Sequence, residues 1–351
     1  MTLIRWAACG LAAAGFLATE TRLQGAGATF PAPLYARWVA EYGKLNPSIA
    51  IDYQAIGSGG GIKSITDKTV DFAGSDAPLN DKQIQALGQG NVIHVPSCAG
   101  GVVPAYNLPG LGQDLNFTGE VLAEIYMGKI TRWNDAKIAA VNAGSSLPDT
   151  VITTAWRTDG SGTNFVWTNY LSTQNEAFKE SIGMGTSVKW PVGQGGKGNA
   201  GITAIVQQTK GAIGYTEQNY ASENKLTYGK VKNLEGEFIK ASPESISLAG
   251  VGAVGQLQGD VLKANLWNQP GKGTYPIASF TYLIAYRDLN NLKSREQAQA
   301  LVDYFWWATH EGQQYANKLE YAPLAPDVQH KVGDALGHFT YKGEALKPKG
   351  S

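Results

Sequence analysis

Residues 49–76 read IAIDYQAIGSGGGIKSITDKTVDFAGSD. Ile49, Ile51 and Tyr53 recur at every second position, the period of a strand. Gly57-Ser58-Gly59-Gly60-Gly61 then turns the chain. A short helix carrying Ile62 and Ile65 follows, and residues 70–73 form a second strand that ends at Ser75 and Asp76. Strand, helix and strand in this order imply a parallel sheet covered by helices.

The same alternation extends outward. Upstream, Pro31 and Pro33 open a helix with Leu34, Trp38, Tyr42 and Leu45 on one face, and Gly25-Ala26-Gly27-Ala28-Thr29-Phe30 leads into it. Downstream, residues 100–107 read as a strand interrupted by Pro104, which we take as a crossover between domains. A second alternating unit occupies residues 107–273. It has a helix near 121–126, a strand over 151–156, a helix from 164 to 171, and a Gly-rich loop at 193–198. A helix with Ile202, Ile205 and Val206 and a strand over 212–215 complete it. The apolar run 280–286 returns to the first domain. Ala298, Leu301, Val302, Phe305 and Ala308 mark a late amphipathic helix. Two segments thus cross between the domains, as a hinge requires. The expected bounds are 19–103 plus 274–351 for one lobe and 104–273 for the other.

At 351 residues the chain exceeds one typical core, which agrees with two domains. Lys plus Arg equals Asp plus Glu at 29 each, so no basic surplus exists to hold nucleic acid or anionic lipid. Residues 6–18 are nearly all apolar and follow Arg5. That run is too short to span a bilayer and fits a secretory signal over residues 1–18. No later stretch reads as transmembrane. With the signal removed, Cys98 stands alone, and a lone cysteine reads as a small buried hydrophobe.

Three Gly-Ser/Thr segments carry the chemistry: residues 25–30, residues 57–61, and Asp159-Gly160-Ser161-Gly162-Thr163. Glycine lets backbone approach a ligand closely. A helix start offers free N–H groups and the positive end of a dipole. Three such ends meeting at one point make an anion site with little charge of its own. Arg157 adds a two-point fork for an oxyanion edge. The plainer alternatives are that Thr29, Ser58 and Ser161 are helix caps, that Asp76 caps the helix after Pro78, and that Arg157 and Asp159 form a surface ion pair.

Taken together, these motifs resemble the periplasmic phosphate-binding proteins of bacterial high-affinity phosphate ABC transporters. Residues 25–33, 57–61, 71–79 and 157–165 carry the likeness, with Val188-Lys189-Trp190-Pro191, residues 195–199 and 211–215, and Tyr321-Ala322-Pro323-Leu324. The resemblance implies an α/β fold of the two-lobed type II periplasmic-binding-protein class. Each lobe is a central sheet flanked by helices, joined by two crossover strands. It implies phosphate ligands at Thr29, Phe30, Ser58, Asp76, Arg157, Ser161, Gly162 and Thr163, with Asp159 orienting Arg157. It implies an exported periplasmic monomer that serves permease subunits, with no cofactor or metal. Asp76 is the telling choice. An ionised carboxylate only accepts hydrogen bonds, so it suits a ligand that brings a proton. Phosphate keeps one at neutral pH and sulfate does not.

An alternative from another class is a secreted phosphatase or phosphate-ester-binding enzyme on the same scaffold. No Gly-x-Ser-x-Gly elbow surrounds Ser161, and His94, His310, His330 and His338 lack metal-ligand spacing. A nucleotide-hydrolysing reading fails for want of Gly-x-x-x-x-Gly-Lys-Ser/Thr.

Overall fold

The computed structural model describes residues 20–111 and 114–350. The expected signal at 1–18 lies outside them. The first half is the expected alternation with one strand more. It runs β1 (Thr21–Gly27), α1 (Ala32–Leu45), β2 (Ile49–Ala55), α2 (Ser58–Thr66) and β3 (Phe72–Ser75). β1 pairs in parallel with β2 on one side and β3 on the other. Residues 25–27, read above as part of the lead-in to a helix, are therefore strand. Their glycines answer to neighbours across the sheet: a side chain on Gly25 would strike the Phe72 ring, and one on Gly27 the backbone of Gly74. α1 starts on the two prolines and buries Leu34, Tyr35, Trp38 and Tyr42. Leu45, expected on that face, is 65% exposed because the helix ends there.

β4 (Val92–Tyr106) is the element that joins the halves. Its residues 92–101 pair antiparallel with β8 (Ala278–Tyr286), the returning strand. From Val102 to Tyr106 it pairs instead with β7 (Ala212–Glu217). Pro104 does not interrupt it. Proline removes only the donor, and the Pro104 carbonyl still accepts the Gly229 N–H at 3.1 Å. Tyr275–Val102 and Val102–Ile277 hydrogen bonds carry the second crossing segment beside β4.

Beyond β4 lie β5 (Thr153–Arg157), α3 (Gly162–Gln174), β6 (Gln194–Gly196), α4 (Gly198–Gln208) and, after β7, α5 (Gln218–Glu223). The nine-stranded sheet has the order β2-β1-β3-β8-β4-β7-β5-β6, with a short ninth strand, Thr227–Tyr228, beside β4. α6 (Arg295–Thr309) buries Ala298, Leu301, Val302, Phe305 and Ala308, as its spacing predicts. Trp38 packs in the core and gives its indole N–H to Gly312 at 2.7 Å, and Trp306 stacks on His310. Among the described residues no helix is long and apolar enough to cross a membrane.

Candidate anion site

The C-terminal ends of β1, β3 and β5 and the N-terminal ends of α2 and α3 converge. Gly57, at φ 91°, ends the turn into α2, and Ser58 is the first helical residue. Two hydrogen bonds then join this turn to the other half of the sheet. Gly59 gives its N–H to the Gly160 carbonyl at 2.8 Å, and Gly162 gives its N–H to Ser58 Oγ at 3.1 Å. A side chain at Gly162 would collide with Ser58 Oγ and Asp76, so glycine is required where the halves meet.

Ser58 Oγ is the meeting point. It accepts from the Asp76 N–H at 3.2 Å and from Gly162, and it donates to Asp76 Oδ2 at 3.4 Å. Asp76 itself is 1% exposed and also accepts from Thr281 Oγ1 at 2.8 Å. Burial pushes its carboxyl up to about 7, against the Thr281 hydrogen bond, the Arg157 charge and the Ser58 hydrogen bond, which pull it down. Asp76 caps no helix; Asn80 does that downstream.

Arg157, at the end of β5, is 3% exposed. Its Nε donates to Asp159 Oδ1 at 2.8 Å and one Nη to Oδ2 at 2.6 Å. The pair is interior, not a surface ion pair. Burial raises the Asp159 carboxyl, but the hydrogen bonds and charge of Arg157 and the Gly198 N–H outweigh it and hold the group below its ordinary value. The other Nη of Arg157 reaches Thr163 Oγ1 at 3.3 Å and Asn199 Oδ1 at 3.2 Å. These four bonds use four of the five guanidinium hydrogens, which leaves one, on the Nη that holds Asp159, for a ligand; the two-point fork expected from the sequence needs Thr163 or Asn199 to give way.

Thr29 is 8% exposed; its hydroxyl accepts the Asn199 N–H at 3.4 Å and its carbonyl the Tyr220 hydroxyl at 2.6 Å. Phe30 is buried, and its N–H has no acceptor among the described residues. Ser161 follows the plainer alternative in part. Its hydroxyl accepts the Asn164 N–H at 3.0 Å and so caps α3, while its own N–H goes to the Thr186 carbonyl at 2.8 Å. Of its two expected donors only the hydroxyl hydrogen is left. Ser161→Ala is therefore expected to weaken anion binding and lower stability together, each by about 1 kcal/mol. Paired titrations and melts check this, and a loss confined to one of the two would contradict the double role.

Five supporting residues have no role in the sequence reading. Tyr215 takes the Arg157 N–H at 2.9 Å and gives its hydroxyl to Asn164. Its ring stacks on Trp167, within a cluster that includes Tyr126 and Trp190. Thr281 and Tyr220 reach in from remote segments, while Asn164, Asn199 and Tyr215 lie in the stretches 157–165, 195–199 and 211–215 that carry the likeness but have no role there. Among the described residues no cluster of His, Cys, Asp and Glu could hold a metal.

A family model for a PBP superfamily domain matches residues 14–307. The phosphate-binding protein PstS of Pasteurella multocida (strain Pm70) is 42% identical over 313 residues, 88% of each chain. That of Haemophilus influenzae is 40% identical over 314 residues, 89% of this chain and 91% of the relative. Among solved structures, a phosphate binding protein from Stenotrophomonas maltophilia shares the fold with a TM-score of 0.68 at 19% identity, covering 89% of this chain and 93% of that one. A periplasmic phosphate-binding protein solved with phosphate bound (PfluDING) gives 0.71 at 20% identity over 89% and 93%. This chain belongs to the PBP superfamily and, within it, to the PstS phosphate-binding proteins.

Proposed function

We propose that this chain captures inorganic phosphate between its two halves and delivers it to the permease of an ABC transporter. One observation carries the choice of anion: a buried carboxyl, Asp76, stands among groups that otherwise offer N–H and O–H hydrogens. Such a carboxyl repels a fully ionised oxyanion and accepts the hydrogen of a protonated one. Thr29, Phe30, Ser58, Ser161 and Thr163 supply the remaining hydrogen bonds, Gly162 does so by turning its N–H away from Ser58 Oγ, and Arg157 supplies the charge. A desolvated anion is costly without such pairing, and fixed helix-start donors provide it without flexible lysines.

The donors are divided between residues 19–103 with 274–351 and residues 104–273, which we take as the two lobes. Neither half alone satisfies the anion, so phosphate favours the closed arrangement. Small-angle scattering is expected to show a smaller radius of gyration at saturating phosphate. An unchanged radius would place the site in one lobe. The same reading makes the protein an exported periplasmic monomer, with residues 1–18 as its signal. The phosphatase alternative has no support among the relatives, which are named as binding proteins. Release of phosphate from an ester by the purified chain would restore it.

A further inference from the structure

Behind the proposed ligand loop lies a second carboxyl that the site description does not use. Glu217 ends β7, opposite Val102, where β4 changes partner. It is fully buried. Oε2 accepts the Asn219 N–H at 2.9 Å, and Oε1 has no partner among the described residues. Oε1 lies over Gly100, where an added side chain would meet both it and the Phe30 ring. The titratable groups that act on Glu217 are Tyr321, Glu320, Asp76, Tyr220 and Cys98. None of them is a cation. A buried carboxylate without a counter-charge is unfavourable, and burial raises this carboxyl well above its usual range.

Hydrogen counting gives the same answer independently. The Tyr321 hydroxyl oxygen lies 2.7 Å from the Phe30 carbonyl and 3.1 Å from Glu217 Oε2. It owns one hydrogen. The Phe30 carbonyl can only accept and makes the shorter contact, so we give it that hydrogen. The contact with Oε2 then needs a hydrogen from Glu217; an ionised Glu217 would set two lone pairs against each other. On the other side of Phe30, Tyr220 reaches the Thr29 carbonyl at 2.6 Å, which belongs to the peptide that carries the Phe30 N–H.

We infer that Glu217 is a neutral carboxylic acid that donates to Tyr321, so that a Glu217–Tyr321–Phe30 carbonyl chain holds the loop presenting the Phe30 N–H. Glu217 is a positioning residue, and it adds no negative charge behind the anion. The claim about the loop rests on the phosphate reading; the claim about the proton does not.

The proton is tested without ligand. A folded chain that keeps a proton which the unfolded chain releases above about pH 4.3 loses stability as pH rises above that value. Glu217→Gln has no such loss. Its melting temperature minus that of the parent is expected to increase steadily between about pH 5 and pH 8. Both are measured in the Asp76→Asn background, so that titration of Asp76 is not read as that of Glu217. The amide brings a constant offset at Asn219, and the slope is the readout. A flat or falling difference would overturn the inference. Should the glutamine variant not fold, the Asp76→Asn protein supplies an infrared spectrum at neutral pH. A protonated-carboxyl C=O band supports the assignment, and its absence overturns it. Tyr321→Phe cuts the chain at Phe30 and is expected to weaken phosphate binding about two- to tenfold. Unchanged affinity would remove the positioning role. If the parent itself does not bind phosphate, the functional reading fails while the slope still decides the proton.

Discussion

Arg157→Ala is expected to weaken phosphate binding by about 1.5–3 kcal/mol, roughly ten- to a hundredfold, because it removes the one charged donor aimed at the anion. The structure adds a second effect. Asp159 takes two hydrogen bonds from Arg157 and is only 11% exposed in its side chain. Truncating the arginine leaves that carboxylate unpaired, which costs on the order of 3–5 kcal/mol of stability. The two effects separate in the double variant. Removing Asp159 as well is expected to recover much of the melting temperature and none of the affinity. Recovery of phosphate binding in the double variant, measured by titration, would show that Arg157 acts through folding alone.

Asp76→Asn is expected to change what is bound more than whether the protein folds. Asparagine keeps an oxygen for Thr281 at the Oδ1 position, and its amide nitrogen, where Oδ2 stood, gives a hydrogen to Ser58 Oγ in place of the one Oδ2 accepted, so both neighbours keep a partner. It replaces the acceptor for the ligand's hydrogen by an amide that also donates. Phosphate affinity is expected to fall by about 1.5–3 kcal/mol and sulfate, rejected by the parent, to bind comparably. A pH signature accompanies this. With the Asp76 carboxyl raised to about 7, the folded protein holds a proton there that the unfolded chain releases from about pH 4 upward. Its contribution to stability therefore falls as pH rises from about 4 to about 7, and the asparagine variant lacks that fall. Melts of the unliganded proteins across this range check the sign. Equal slopes would mean that Asp76 is ionised throughout.

Much of this site could be read before any coordinates, and the reason is local. Ser58, Ser161, Gly162 and Thr163 sit in Gly-rich helix starts, whose chemistry is set by a few neighbours. Arg157 and Asp159 are two residues apart. The parts that could not be read depend on distance along the chain. Thr281 meets Asp76 across 205 positions, and Tyr220 meets Thr29 across 191. Nothing in the spacing of either tyrosine or threonine announces that contact. Gly25 and Gly27 misled for the same reason: their strand is dictated by Phe72 and Gly74 on the neighbouring strand, not by their own propensity. At Pro104 the general rule against proline in strands gave way to a register in which its carbonyl still finds Gly229. Ser161 shows the opposite limit. The sequence allowed a cap or a ligand donor, and the geometry makes it a cap whose hydroxyl hydrogen is still available.

The central claim is selective capture of a protonated oxyanion. Calorimetric titration of the purified chain with phosphate, arsenate and sulfate at neutral pH tests it most directly. The account predicts one phosphate per chain, competition by arsenate, and no heat from sulfate at concentrations that saturate phosphate. Comparable binding of sulfate would contradict the role given to Asp76, and with it the account of how this site chooses its anion.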